Sequence, residues 1–439
     1  MTRLLDRLGL GRTELRAWAM YDWANSAFMC TIITAVFPIY FQREAAATLS
    51  GADALAMIGL ANMIAIGIVA LLNPLLGALA DYLPIKKRML GMFMSIGVLS
   101  TAAMFFIGRG DWRMAMILFI TASIGAFGSM AFYDALLPHI ADEKEIDRVS
   151  SAGYAIGYFG GGLLLLINAI WIMNPQMFGM ADAGVASRIS FVSVAVWWLM
   201  FSIPLFRHVP EPPSRGAVEP GRHPLAVALT RLVQTLKELR GFREAFLMLV
   251  AFAVYNDGVN TIIKMATSYG AQIGLATGDM IAAVLLVQFV GVPFAFLFGA
   301  LAGKVGAKRA IYCALAVYVV ISFLGFFMTT ALHFYLLAFL VATVQGGSQA
   351  LSRSLFATMI PRTKSAEFFA FFSIFEKFTG VLGPAAFTLA VAATGSGRIA
   401  VLSIVVFFIL GWFLLAKVDV EHGQAVARAA EEGAGAAPA

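Results

Sequence analysis

Charge and cysteine are both scarce in this chain. Only 13% of its 439 residues are Asp, Glu, Lys or Arg, whereas 60% are hydrophobic, and the mean hydropathy is +0.84. A water-soluble domain of this length could not cover so much apolar surface, so the composition indicates a protein embedded in lipid. The two cysteines, Cys30 and Cys313, fall inside apolar stretches and imply no disulfide framework.

Catalytic motifs are also missing. None of the five histidines falls in the middle of an apolar stretch, so no histidine relay is expected, and the serine of residues 346–348 has no histidine to activate it. Residues 299–305 are one residue short of a phosphate-binding loop and lack its Ser or Thr. We therefore expect no enzyme activity, no metal and no cofactor.

Twelve stretches are long and apolar enough to cross a bilayer as helices. They cover residues 15–42, 52–80, 89–108, 114–138, 149–174, 187–206, 244–269, 279–302, 310–329, 333–360, 366–393 and 399–416. Because the runs are continuous, they do not fit the ten-residue alternation of a membrane β-barrel. The predicted fold class is an all-α membrane protein.

An internal repeat divides these spans into two groups of six. Residues 77–80 and 299–302 both read Gly-Ala-Leu-Ala, and the two copies begin 222 residues apart. Six spans separate equivalent points, so the halves are predicted to be parallel and pseudo-symmetric. We assign residues 1–206 to the N-terminal half, 207–243 to a linker, 244–416 to the C-terminal half and 417–439 to a disordered tail. The linker is predicted to contain an amphipathic helix that lies on the inner leaflet or packs against the bundle.

The distribution of Lys and Arg gives an orientation. If the N terminus and the even-numbered connections share one side, that side carries 23 of the 31 basic residues, the other side five, and the spans three. The positive-inside rule then places both termini in the cytoplasm, in a multi-pass protein of the bacterial cytoplasmic membrane. The net charge of +6 thus reflects topology, and we expect no nucleic-acid partner.

Several polar side chains lie where lipid would not tolerate them. An ionisable group at the centre of a span costs about 2.5–3.5 kcal/mol, so these groups should face the protein interior. The ionisable span residues are Asp22, Asp134, Asp257, Lys264, Arg353, Glu376 and Lys377. Asp134 is close to a span end, and we expect it to form a structural ion pair there.

Three spans carry polar stripes on one helical face. Asp-x-x-Asn occurs in the first and seventh spans, and a Gln-x-x-x-Gln-x-x-x-Arg stripe occurs in the tenth. We predict that these residues line a water-filled cavity and bind solute, although hydrogen bonds between helices would produce the same pattern. The predicted solute-binding residues are Asp22, Asn25, Asp257, Asn260, Lys264, Gln345, Gln349 and Arg353.

The loop after the second span resembles a signature of the major facilitator superfamily. That signature is Gly-x-x-x-Asp followed by a basic cluster, and the second copy of the repeat keeps the basic residues but has Gly303 in place of the acid. The resemblance implies that Asp81 accepts hydrogen bonds from the start of span eleven, near residues 365–367, and closes a one-sided gate. The gating residues it implies are Gly77, Asp81, Lys86, Lys87, Arg88, Lys308 and Arg309.

Residues 21–28, 255–258 and 345–354 further resemble the vacuole-effluxer-like family within that superfamily. The resemblance implies a monomer whose cavity is lined by helices one, four, seven and ten. Its fungal members are associated with amino-acid export from vacuoles.

These features lead to one hypothesis, which is alternating access to a site that binds a small polar solute. If the solute is an amino acid, Arg353 would bind its carboxylate and Asp257 or Asp22 its ammonium group. A proton on Glu376 or Asp257 would couple the transport. Two alternatives remain, a non-transporting receptor or scaffold with the same fold and an exporter of a hydrophobic drug or lipid.

Overall fold

The computed structural model describes residues 2–213, 227, 230, 241–272, 277–378, 382–394 and 397–435. In this part of the chain every regular element is a helix. The N-terminal half contains α1 (Thr2–Arg7), α2 (Thr13–Phe28), α3 (Val36–Tyr40), α4 (Gly51–Tyr82), α5 (Lys86–Ala103), α6 (Trp112–Ile140), α7 (Ile146–Met173) and α8 (Ala183–His208). The C-terminal half contains α9 (Arg243–Gln272), α10 (Thr277–Val305), α11 (Ala307–Phe326), α12 (Ala331–Thr358), α13 (Ser365–Phe378), α14 (Leu382–Thr394), α15 (Gly397–Ser403) and α16 (Val405–Ala416).

The helices agree with the predicted spans. Eleven helical segments in the described part of the chain are long and apolar enough to cross a membrane. The eleventh predicted span, 366–393, falls on α13 and α14, and residues 379–381 between them lie outside the described part. The predicted amphipathic helix of the linker also lies outside it, apart from two single positions.

The first span is less regular than its hydrophobic pattern predicts. Two π-helical segments, Met29–Ala35 and Phe41–Ala45, flank the short helix α3, so the span runs from Thr13 to Ala45 instead of 15–42. Single π turns are rare and change which side chains share a face of the helix. The face that carries Asp22 and Asn25 therefore does not continue unbroken toward the far end.

The internal repeat is visible in the contacts of two lysines. Lys87, in the first turn of α5, donates to the carbonyl oxygens of Phe206 and Val209 at 3.0 and 2.5 Å. Lys308, in the first turn of α11, donates to the carbonyl oxygen of Val418 at 2.7 Å. Each lysine satisfies carbonyl groups at the C-terminal end of the sixth helix of its own half. A lysine at the second position of the third span of each half thus caps the end of the sixth span of that half.

The surface of the bundle is suited to lipid. Large apolar side chains point outward along several spans, among them Leu71, Leu99, Ile117 and Phe413, which are 80, 70, 62 and 63% exposed. Glycine allows α7 to approach α2 closely, since a Cβ at Gly161 would lie 2.8 Å from the carbonyl oxygen of Ser26.

We call the end of the bundle that carries Tyr82, Lys86, Ile140 and Thr358 the basic end. The chain beyond Lys417 forms a further helix there, α17 (Val420–Gly435), where composition predicted a disordered tail. Most of its buried or half-buried residues recur at helical spacing; they are Val420, Gly423, Gln424, Val426, Ala427, Ala430 and Glu431.

Polar contacts hold α17 against the C-terminal half. Glu244 Oε2 accepts from the Asp419 amide at 2.7 Å, Gln424 donates to Thr358 at 3.2 Å, and Glu431 accepts from the Arg362 amide at 2.7 Å. The buried side of α17 is rich in Ala, Gly, Gln and Glu. Such a composition is typical of disordered segments, which is why the tail was predicted to be disordered.

We expect Ala427→Asp to detach α17, because Ala427 is only 4% exposed and a larger side chain does not fit in its contact with the bundle. Overpacking of this kind costs about 1–3 kcal/mol, enough to make the tail accessible to protease. Limited proteolysis of the purified protein checks this. Ala429→Asp, on the exposed side of the same helix, is the matched control. Equal cleavage of the two variants would contradict the packing described here.

Candidate functional site

A buried cluster of charges joins the two halves near the basic end. Arg353 of α12 lies 3.0 Å from Asp134 of α6 and 3.4 Å from Asp22 of α2. Its Nε donates to the Ser150 hydroxyl and its Nη2 to the Ser150 carbonyl oxygen, both at 2.9 Å. Tyr133 donates to Asp22 at 2.7 Å. We call Asp22, Tyr133, Asp134, Ser150 and Arg353 the Arg353 cluster.

Aromatic rings surround the guanidinium group. Its central carbon lies 4.9, 5.7 and 4.6 Å from the ring centres of Trp18, Tyr133 and Tyr154. Trp18 and Tyr133 stack on each other with ring centres 4.5 Å apart. Cation–π contacts strengthen when the cation is desolvated, and Arg353 is 1% exposed. The arginine is therefore held by three helices of the other half.

The position of the cluster in the bundle identifies what it can do. Arg353 is five residues from the end of α12, which at 1.5 Å per residue is about 8 Å from the basic end. Removing one member of a buried ion pair costs about 3–5 kcal/mol, because the remaining charge is left without a partner. The cluster can thus resist separation of the halves at the basic end.

A second contact between the halves involves Asp81, at the end of α4. Its carboxylate oxygens accept from the amides of Ala366 and Glu367, at 3.2 and 2.9 Å, in the first turn of α13. Lys86 lies 2.6 Å from the same carboxylate. Amides at a helix N-terminus bind anions well, so this is the arrangement that the superfamily resemblance implied. Gly77 allows the approach, since a Cβ there would lie 2.6 Å from the Ala366 carbonyl oxygen.

Two smaller contacts reinforce the closure of the basic end. Ser354 of α12 donates to Asp147 of α7 at 2.5 Å, and His139 of α6 lies within 3.1 Å of the Ser365 hydroxyl. Hydrogen bonds between the halves thus gather at the basic end. One further hydrogen bond between the halves lies higher in the bundle, where the Gln288 side-chain amide donates to the sulfur of Cys30 at 3.1 Å.

The second copy of the repeat faces the other half without an acid. A Cβ built at Gly303 would lie 3.3 Å from Nη2 of Arg148, which is in the first turn of α7. Close by, a Cβ at Gly299 would lie 2.8 Å from the hydroxyl of Ser151, a fully buried residue of α7. Gly303, the position equivalent to Asp81, is therefore close to the Arg148 guanidinium group but has no acidic side chain to pair with it.

We expect Gly303→Asp to add a second clamp by pairing with Arg148. An exposed ion pair contributes about 0.5–1 kcal/mol, so the open fraction at the basic end should fall two- to fivefold. Maleimide labelling of Ser151→Cys, in a chain whose Cys30 and Cys313 are replaced by serine, measures that fraction. Gly303→Asn is the uncharged control. Equal labelling rates for the two variants would contradict the pairing.

The other predicted solute-binding residues are spread over both halves. Asn25 is buried one turn from Asp22, while Gln345 and Gln349 are half-buried on the face of α12 that leads to Arg353. Asp257 is 1% exposed and accepts from the Gly383 amide at 2.8 Å, within the C-terminal half. Asn260 is half-buried one turn further along α9, and the side chain of Lys264 lies outside the described part.

The structure therefore brings Asp22 and Arg353 together but leaves Asp257 elsewhere. Arg353 and Asp22 were predicted to bind the carboxylate and the ammonium group of a solute. In this conformation the two side chains pair with each other instead. Of the remaining predicted gating residues, Arg88 and Arg309 are exposed at the basic end. Glu376 pairs with its neighbour Lys377 at 3.3 Å.

Sequence reasoning missed the residues that complete the Arg353 cluster. Trp18, Tyr133, Tyr154 and Ser150 are uncharged, and aromatic residues are common on every membrane helix. One feature of the sequence could have indicated them. A span arginine that pairs with more than one span carboxylate needs further hydrogen-bonding groups and aromatic rings around the charges.

Known proteins of the same fold are transporters. The fold matches the proton:xylose symporter XylE with a TM-score of 0.66, at 14% identity over 94% of this chain and 95% of that one. It also matches FucP in its outward conformation with a TM-score of 0.67, at 12% identity over 93 and 100% of the two chains. The chain thus shares the all-helical membrane fold of these two transporters of the major facilitator superfamily.

Residues 52–428 match the family described as vacuole effluxer Atg22 like, and the chain belongs to that family. An uncharacterised MFS-type transporter of Bacillus subtilis, YxiO, is 38% identical over 92% of this chain and 94% of its own length. Autophagy-related protein 22 of Yarrowia lipolytica is 28% identical over 63% of this chain. The chain spans about half the length of that fungal relative, 51%.

Proposed function

We propose that this protein is a secondary active transporter that moves a small polar solute, with amino acids as the first class to test, by alternating access coupled to protons. The observation that carries the proposal is the concentration of contacts between the halves at one end of the bundle. The Arg353 cluster and the Asp81 contact close the basic end. Both would have to break for a solute to leave there.

The orientation and membrane belong to the same proposal. The excess of Lys and Arg at the basic end supports a cytoplasmic location for that end and for both termini. A bacterial cytoplasmic membrane is the setting that we propose. In that orientation the conformation described here is closed toward the cytoplasm.

Proton coupling is proposed from the buried charges. The Arg353 cluster contains two carboxylates and one guanidinium group, so one added proton makes it neutral. Neutral groups are far less costly to move through a low-dielectric interior than charged ones. Asp22 and Asp134 therefore join Glu376 and Asp257 as candidates for the coupling proton.

Uptake into proteoliposomes with an imposed pH gradient tests the proposal. A labelled mixture of amino acids should accumulate when the gradient is present and should not accumulate in liposomes without protein. The same assay with a sugar, an organic anion and a lipophilic cation distinguishes the alternatives. Accumulation of the lipophilic cation alone would favour an exporter of hydrophobic compounds. Absence of flux for every compound would favour a receptor or scaffold.

A further inference from the structure

Glu376 and Lys377 differ from the other charged side chains deep in the spans. Their side chains are 23 and 17% exposed, whereas those of Arg353, Asp22 and Asp134 are 1, 9 and 8% exposed. The pair also consists of sequence neighbours on one helix, with 3.3 Å between Lys377 Nζ and Glu376 Oε1. Because both side chains are half-buried, exchanging one partner of this pair for another ion leaves less charge buried and unpaired than the same exchange at Arg353 would.

The pair lies near the middle of the membrane, between the halves. Lys377 is twelve residues into α13, about 18 Å from the basic end, and the hydrocarbon core is about 30 Å thick. Its ammonium group lies 5.2 Å from the ring centre of Phe127, on α6 of the other half. This depth is well above that of the Arg353 cluster.

The exposed side of the pair faces the interior of the bundle and not the lipid. Glu376 lies close enough to Asp134 and Tyr154 to act on both electrostatically. Both residues belong to the surroundings of Arg353, between the two halves. The partly exposed pair therefore lies on the side of α13 that faces the other half, above the closed basic end.

We propose that Lys377 binds a carboxylate or similar anionic group of the transported solute, and that Arg353 does not. This inference rests on the proposed function and names the anchor of the solute site. The solute's anion takes the place of Glu376 on the ammonium group, while Phe127 keeps that group at mid-depth by a cation–π contact. Glu376, once displaced from Lys377, can accept a hydrogen bond from the positive group of a zwitterion.

Chemical accessibility tests the location without any solute. In the chain with Cys30 and Cys313 replaced by serine, Lys377→Cys should react with a membrane-impermeant methanethiosulfonate at least tenfold faster than Ser151→Cys. Ser151 is fully buried at the basic end and provides the matched comparison. Equal rates for the two cysteines would mean that position 377 is as inaccessible to water as the buried Ser151, and would overturn the proposal.

Thermal-shift and uptake measurements on the full chain test the ligand class with L-alanine, L-lactate and xylitol. The two carboxylates should raise the unfolding temperature, Lys377→Gln should weaken their apparent affinity at least tenfold, and Lys377→Arg should restore it to within threefold. L-Alanine and L-lactate together distinguish a zwitterion from a simple anion, because only the former should also lose affinity in Glu376→Gln. Lys144→Gln, exposed at the basic end, should change nothing.

The contrary outcomes separate this inference from the proposed function. If xylitol alone binds and accumulates, transport is retained and the role of Lys377 is overturned. The same holds if Lys377→Gln leaves the carboxylate affinity unchanged. If none of the three compounds binds or accumulates, both the anchor and the proposed transport of small polar solutes fall.

Discussion

Replacing Arg353 by methionine should abolish transport and markedly destabilise the protein. The substitution leaves Asp22 and Asp134, which are 7 and 5% exposed, facing each other without a cation. Breaking a buried ion pair by removing one partner costs about 3–5 kcal/mol. The cost falls on the conformation that is closed at the basic end, because three of the helices around Arg353 belong to the other half. Uptake into proteoliposomes and thermal unfolding in detergent measure the two effects.

A triple variant distinguishes the effect of the unpaired carboxylates from the effect of losing the packing around Arg353. Arg353→Met combined with Asp134→Asn and Asp22→Asn removes the stranded carboxylates, so stability should recover while the gate stays weak. Arg207→Met, at an exposed arginine in the last turn of α8, is the matched control and should behave like the unmodified protein. Unchanged stability in Arg353→Met alone would mean that the cluster is not an ionic contact between the halves.

The hydrophobic pattern and the repeat predicted most of the architecture. Long apolar stretches predict helices because the bilayer leaves no other way to satisfy backbone groups. The internal Gly-Ala-Leu-Ala repeat predicted two related halves. In the structure Lys87 and Lys308 make equivalent contacts in their own halves. The contact of Asp81 with residues 366 and 367 was available only through the superfamily resemblance, since a loop acid alone does not indicate its partner.

The candidate site could not be predicted in the same way. A stripe on one helix indicates which of its own residues share a face, but not which helix that face meets. Arg353 is 331 residues from Asp22 and 219 from Asp134, and only tertiary packing brings the three together. The prediction that Arg353 binds solute was made from the stripe of α12 alone, without its partners on the other half. The helix α17 was missed for a different reason, because its buried side is rich in Ala, Gly, Gln and Glu.

Asp81 and Arg353 close the same end of the bundle by different means, so their loss should have different consequences. Arg353 is enclosed by the other half, whereas Asp81 contacts the opposite half only at its surface, through two backbone amides in the first turn of α13. Loss of Asp81 should therefore shift the balance between open and closed conformations more than it lowers the stability of the fold.

We expect Asp81→Asn to raise the labelling rate of Ser151→Cys at the basic end at least tenfold, which corresponds to about 1.4 kcal/mol. An amide accepts hydrogen bonds more weakly than a carboxylate, and Lys86, which is 2% exposed, loses its counter-charge. Asp142→Asn, exposed at the same end, is the control.

Adding Lys86→Met to Asp81→Asn separates the two causes. If the stranded lysine destabilises the fold, the double variant should recover its unfolding temperature, because the buried charge is gone. Its labelling rate should nevertheless stay high, since the contact between Asp81 and the amides of α13 is still missing. A labelling rate that returned to the starting value would mean that Lys86, and not the contact with α13, controls the opening of the basic end.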